Sequence, residues 1–203
     1  MMIRLENIEI HRGNKLLFSD FNQCFVSPGL NVIKGKNGSG KTTLIKMIAG
    51  FISPNKGIIN KNYNNSYEWL QNHIYIGSQN SLSNELSVME NLKMWLGIRG
   101  WHFSDKEIEE KLMKIKILNF KNILISQCSD GIKRKTDLCK LFFTSSNNIK
   151  FWLLDEPTNH LDDDGKQIFK LLLKQFIESK GTIIMSSHDT SISNFKINYI
   201  RLN

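Results

Sequence analysis

Eight consecutive residues constrain this chain more than any other stretch: Gly35-Lys36-Asn37-Gly38-Ser39-Gly40-Lys41-Thr42 places glycine first and sixth, followed by a lysine and a hydroxyl. The flanks suit such a loop. Leu30-Asn31-Val32-Ile33 reads as a short strand, and Leu44, Ile45, Met47, Ile48 and Phe51 then fall at helical spacing, with Gly50 near the helix end. The glycines let backbone N–H groups close around phosphate oxygens, and the helix N-terminus adds the positive end of its dipole. Lys41 can reach the terminal phosphates and the Thr42 hydroxyl can ligate Mg²⁺. With glycine usage near 7%, the four specified positions coincide by chance in a chain of this length roughly once in a hundred sequences. The expectation is a nucleoside triphosphate held by Gly35 through Thr43.

A second constellation lies at Phe151-Trp152-Leu153-Leu154-Asp155-Glu156, four apolar residues ending in two acids. The pattern predicts a buried parallel strand that delivers carboxylates at its C-terminal end, where open α/β sheets place their ligands. Alone, such a pair reads equally well as a loop start or helix cap. Beside a phosphate loop, Asp155 is expected to hold Mg²⁺ and Glu156 to act as general base toward the attacking water. Thr182 to Ser187 predicts a third strand, ending at His188, which would then stand beside the γ-phosphate. Between these strands Asp162-Asp163-Asp164 opens a helix with Ile168, Leu171, Leu172 and Phe176 on one face and Gly181 as its stop.

With 203 residues and 40% apolar content, the chain can bury the core of one domain. No signal peptide and no run of roughly 18 to 20 apolar residues is legible, so a soluble chain is expected. The three cysteines, Cys24, Cys128 and Cys139, lack metal-ligand spacing and predict reduced thiols. The net charge of +8 is spread among lysines interleaved with acids, which predicts a solvated surface suited to polyphosphate or anionic lipid, with no nucleic acid expected. Strand signals alternate with helical ones, as in an α/β sheet covered by helices. The Asn-rich stretch from Asn60 to Asn65 reads as a polar loop. Ser87 with Glu90, and Ser104 with Glu107, form two candidate capping boxes that open a helical insertion of about residues 82–127.

In their order along the chain these motifs resemble the ATP-binding subunit of ABC transporters. Gly35 to Thr42 looks like its Walker A loop, Gln79 after Ile74-Tyr75-Ile76-Gly77-Ser78 like its Q-loop glutamine, and Leu153 to Glu156 like Walker B. Asn159-His160-Leu161-Asp162 resembles the D-loop, and His188 the switch histidine. The resemblance implies a RecA-like P-loop NTPase fold: an α/β parallel-sheet core of residues 1–81 and 128–203, a small antiparallel β region and the helical subdomain, all in one nucleotide-binding domain. It also implies ATP hydrolysis with Mg²⁺ held by Thr42, Gln79 and Asp155. The expected partners are a second copy in a head-to-tail homodimer closing on two ATP molecules, and integral membrane subunits moved near the Q-loop. Leu17 to Phe21, Ile74 to Gln79 and Leu86 to Leu92 are further similar to the ATP-binding subunits of cytochrome c maturation systems, the haem exporters. That implies a peripheral subunit on the cytoplasmic face of a bacterial inner membrane, or the matrix face of a mitochondrial one, with haem bound elsewhere.

Two departures stand out. Arg12 occupies the place of the aromatic residue that stacks on adenine; an arginine plane can do the same. The signature loop corresponds to Cys128-Ser129-Asp130-Gly131-Ile132, which keeps only Ser129 and Gly131 for a phosphate bound in trans and adds a carboxylate at Asp130. Two rivals follow: a soluble ABC-type ATPase acting on ribosomes or in repair, suggested by Asp155 to Asp162, and an assembly module that binds ATP with little hydrolysis.

Overall fold

In the computed structural model, which describes residues 2–187 and 195–202, the strand expected before the glycine loop is flanked on both sides by others, and this placement organises one of two compact units. That unit comprises Met1–Ser78, Ile149–Pro157 and Gln175–Asn203. Its elements are β1 (Ile3–Arg12), β2 (Lys15–Phe25), β3 (Gly29–Lys34), α1 (Lys41–Ala49), β4 (Lys56–Asn60), α2 (Ser66–Asn72), β5 (His73–Ile76), β6 (Phe151–Asp155), β7 (Thr182–Ser186) and β8 (Ile197–Arg201). A parallel five-stranded sheet runs β5-β6-β7-β3-β8, and a separate antiparallel sheet runs β2-β1-β4. The parallel core with a small antiparallel region is thus the fold the sequence led us to expect.

β6 and β7 are buried along their whole length, which explains why they read as apolar runs without alternation. A polar residue inside such a sheet must be fully bonded. Asn31, fully buried in β3, meets this demand: its amide donates to Val26 O and Ile183 O, and its Oδ1 accepts from Val26 N–H and Asn198. α1 buries Leu44, Ile45, Met47 and Ile48 and stops at Gly50, whose φ of 96° lets its N–H return to the Lys46 and Met47 carbonyls. Phe51, expected on the buried helical face, falls beyond this stop and is 59% exposed. The Asn-rich stretch is more than a loop, since Asn60 ends β4 and Asn65 caps α2 by accepting from Glu68 N–H.

The second unit, Gln79–Asn148 and Thr158–Lys174, is helical. It contains α3 (Val88–Ile98), α4 (Asp105–Lys114), α5 (Asp130–Cys139) and most of α6 (Asp163–Glu178), which runs on into the first unit. Both expected capping boxes form, Ser87 with Glu90 and Ser104 with Glu107; such a cap contributes about 1 kcal/mol. α5 gives way at Lys140 to a 3₁₀ turn, Lys140–Phe143, so Leu141 and Phe142 do not continue the α-helix. On α6 the buried large apolar side chains are Phe169, Leu172, Leu173 and Phe176, while of the residues expected on that face Ile168 is half-buried and Leu171 is 60% exposed. All three cysteines are free; Cys128 and Cys139 are buried, which raises both thiol pKa values, and Cys24 is exposed. Among the described residues no helix is long and apolar enough to cross a membrane.

Candidate functional site

Because β3, β6 and β7 are parallel neighbours in the order β6-β7-β3, their C-terminal ends share one edge, the edge where open α/β sheets bind ligands. β3 delivers the glycine loop there. Gly40, with φ at 99°, hands the loop over to α1 and lies against Phe18; a Cβ would stand 2.7 Å from that ring. Gly35 is packed as tightly, with a Cβ there 2.9 Å from Leu202 O and overlapping Ser39 Oγ. Ser39 Oγ is buried without a hydrogen-bond partner among the described residues, an orphan of the kind a phosphate oxygen would satisfy. Lys41 is 8% exposed, and its ammonium donates to the Gly35 and Lys36 carbonyls at 2.9 and 3.4 Å, which sets it inside the curve of the loop.

β6 delivers the two acids. Thr42 Oγ1 donates to Asp155 Oδ2 at 2.8 Å, and Ser186 Oγ, from the end of β7, donates to Asp155 Oδ1 at 2.6 Å. The carboxylate is fully buried. Thr42 and Asp155 therefore present hard oxygen donors to one point, the donor set that suits Mg²⁺ completed by phosphate and water. Glu156 follows with φ at 47°, in the left-handed region, and its N–H donates to the same Ser186 Oγ at 2.9 Å. That turn swings the second carboxylate out of the strand's line. One cavity of about 430 Å³ is lined by Arg12, Lys15, Leu17, Asn37, Gly38, Gly40, Lys41, Thr42, Thr43 and Glu156, within the range of small-ligand sites.

The structure thus gathers Arg12, the glycine loop, Thr42, Thr43, Asp155 and Glu156 in the first unit. Gln79, Ser129 and Gly131 belong to the second unit, and His188 lies outside the described residues. Ser129 caps α5 by accepting from Ile132 N–H at 3.4 Å, and Asp130 is the first helical residue rather than the cap. The Asp130 side chain is 71% exposed, with Lys133 Nζ at 3.9 Å. Three contributors were not expected from the sequence. Ser186 links both acids to β7, and Lys15 and Leu17 reach the cavity because β1 and β2 turn at Gly13-Asn14, a hairpin signal that was legible. Lys15 Nζ donates to Gly38 O at 3.5 Å.

The sequence profile described as ABC transporter matches residues 20–159. A protein of Histophilus somni named cytochrome c biogenesis ATP-binding export protein CcmA is 32% identical over 98% of this chain and 92% of its own. A protein of the same name from Reclinomonas americana is 31% identical over 100% of this chain and 93% of its own. Among solved structures, an ATP-binding subunit of an ABC transporter superposes with a TM-score of 0.84 at 19% identity, over 100% of this chain and 86% of the other. A dimeric ATP-binding cassette in a post-hydrolysis state with ADP and Pi gives 0.82 at 22% identity, over 99% and 96%.

Proposed function

This chain belongs to the ABC transporter family and is an ABC-type ATPase, and we propose that it powers haem delivery in cytochrome c biogenesis as the ATP-binding subunit of a membrane complex. One observation carries the chemistry: Lys41, Thr42 and Glu156 line a single cavity whose floor is the glycine loop. In this reading the loop amides, Lys41 and Thr43 bind the triphosphate and Arg12 lies against the base. Thr42 and Asp155 would hold Mg²⁺, which would supply positive charge against the triphosphate. Water attacks the γ-phosphorus in line, the bond to the β,γ-bridging oxygen breaks, and Glu156 accepts the proton the water gives up, leaving ADP and phosphate. Ser186 orients both acids at once. In the same reading Ser129 and Gly131 serve a nucleotide held by a second copy of the chain, and the roles of Gln79 and His188 come from the family resemblance alone. The relatives' names supply the pathway; haem is the cargo of the membrane partners, and the chain sits on the cytoplasmic face of a bacterial inner membrane or the matrix face of a mitochondrial one.

The test is crosslinking in native membranes. Photo-crosslinkers placed between Gln79 and Leu92 should reach an integral membrane subunit in a nucleotide-dependent manner. Crosslinks confined to ribosomal or repair proteins would instead assign the soluble role.

Asp130 offers a second measurement. A carboxylate facing the γ-phosphate of the opposite subunit repels it in a partly desolvated interface, and Lys133 at 3.9 Å offsets only part of this. Asp130→Gly is expected to strengthen ATP-driven dimerisation and raise basal hydrolysis. Since Ser129 is the cap, little stability should be lost through capping. Unchanged dimerisation and turnover would remove Asp130 from any contact with phosphate.

A further inference from the structure

α5 carries a contact that neither phosphate binding nor the general base accounts for. Lys135 Nζ donates to Asp162 Oδ2 at 2.8 Å, and the lysine side chain is only 8% exposed. Asp162 Oδ1 accepts the Gly165 N–H at 2.8 Å, which caps the first turn of α6. Gly165 is where the two residues meet: a Cβ there would stand 2.8 Å from Asp162 Oδ1 and 3.1 Å from Lys135 Cε. One turn earlier on α5, at the i,i+4 position that shares a helix face, Gly131 approaches the same loop. A Cβ on Gly131 would lie 3.1 Å from His160 O.

Two successive turns of α5 therefore seat residues 158–162. That loop is not relaxed, because His160 has a φ of 64° in the left-handed region, and Leu161 N–H to Thr158 O, at 3.2 Å, closes it from within. A non-glycine residue keeps such a conformation when its surroundings over-determine it. Lys135 and Gly131 are what α5 supplies to that end.

We propose that Lys135 is a positioning residue for ATP turnover: its ion pair with Asp162 holds the loop 158–162, which follows Asp155-Glu156-Pro157 directly in the chain, onto the helix that opens at Ser129. Burying an ammonium is a poor way to gain stability, since an apolar side chain of similar volume packs at least as well. What the pair adds is direction. It fixes where Asp162, and so the start of α6, stands on α5. The same lysine, with the Gly165 amide, holds the Asp162 carboxyl below its ordinary range. The proposal rests on the ATPase reading above.

The test is Lys135→Met, which keeps the apolar stem and removes the charge. Asp162 is 59% exposed and can be hydrated once unpaired, so the fold should survive, as thermal unfolding would verify. kcat should fall about fivefold, in line with coupling in ion-pair networks, while KM and nucleotide affinity stay within about twofold. Lys135→Arg should restore most of the rate. Adding Asp162→Asn to Lys135→Met should cost little more, because the two act as a unit. Amide hydrogen exchange across 158–162 should rise in Lys135→Met. Turnover equal to the parent's, or unchanged exchange in the loop, overturns the proposal and leaves the ATPase reading standing; a parent protein that never hydrolyses ATP, alone or with its partners, overturns that reading and with it the role in turnover.

Discussion

Glu156→Gln is expected to leave nucleotide affinity intact and to lower hydrolysis by about 10² to 10⁴, the usual contribution of a positioned general base. The substitution is nearly isosteric, and glutamine meets the same backbone demand at a φ of 47° as glutamate does. The N–H bond to Ser186 involves the main chain and survives the change. What disappears is the ability to take a proton from water. ATP then stays bound, and the closed dimer should accumulate, which size-exclusion chromatography with ATP would detect as a doubling of mass. Parent-rate turnover would show that Glu156 is not the base, and His188→Ala would be the next variant to assay.

How much of this was legible follows from how local each signal is. The glycine loop, β3 and α1 are contiguous, so the anion cradle could be read from residues 30–50 alone, and the two capping boxes are equally local. Asp155 and Glu156 were legible as the end of a buried strand, because a parallel strand covered on both faces has to be apolar throughout. Phe51 was misassigned because its spacing fits the helix while Gly50 ends it. Leu171 was misassigned because Leu171-Leu172-Leu173 fits more than one helical face and only packing selects among them. Ser186 could not have been found: a serine closing a strand is ordinary, and it touches both acids only because β7 lies between β3 and β6. β8 was missed for a related reason. Its Asn198 is polar and half-buried, and its bond to Asn31 on the neighbouring strand β3 appears only once the two strands are paired. The Lys135 to Asp162 pair joins residues far apart in sequence, and no spacing announces it.

Lys41→Ala carries the other large expected effect. The ammonium lies inside the loop, bonded at 2.9 Å to Gly35 O, so it meets the terminal phosphates already oriented. Losing a charge-assisted contact of about 1.5 to 3 kcal/mol weakens ATP binding about tenfold to a hundredfold. Two effects are mixed in that variant, however, since alanine also removes the aliphatic stem that fills a buried place behind the loop. Lys41→Met separates them in part, as it keeps the stem packed in its 8% exposed position while removing the charge. If the charge acts on the phosphates, Met and Ala should lose similar affinity, and the loss should grow from AMP, where none is expected, through ADP to ATP. If packing of the stem dominates, Met should bind nearly as well as the parent, and thermal unfolding rather than affinity should distinguish Ala. Unchanged ATP affinity in both variants, measured by titration, would remove this loop from nucleotide binding and with it the chemistry assigned to the cavity.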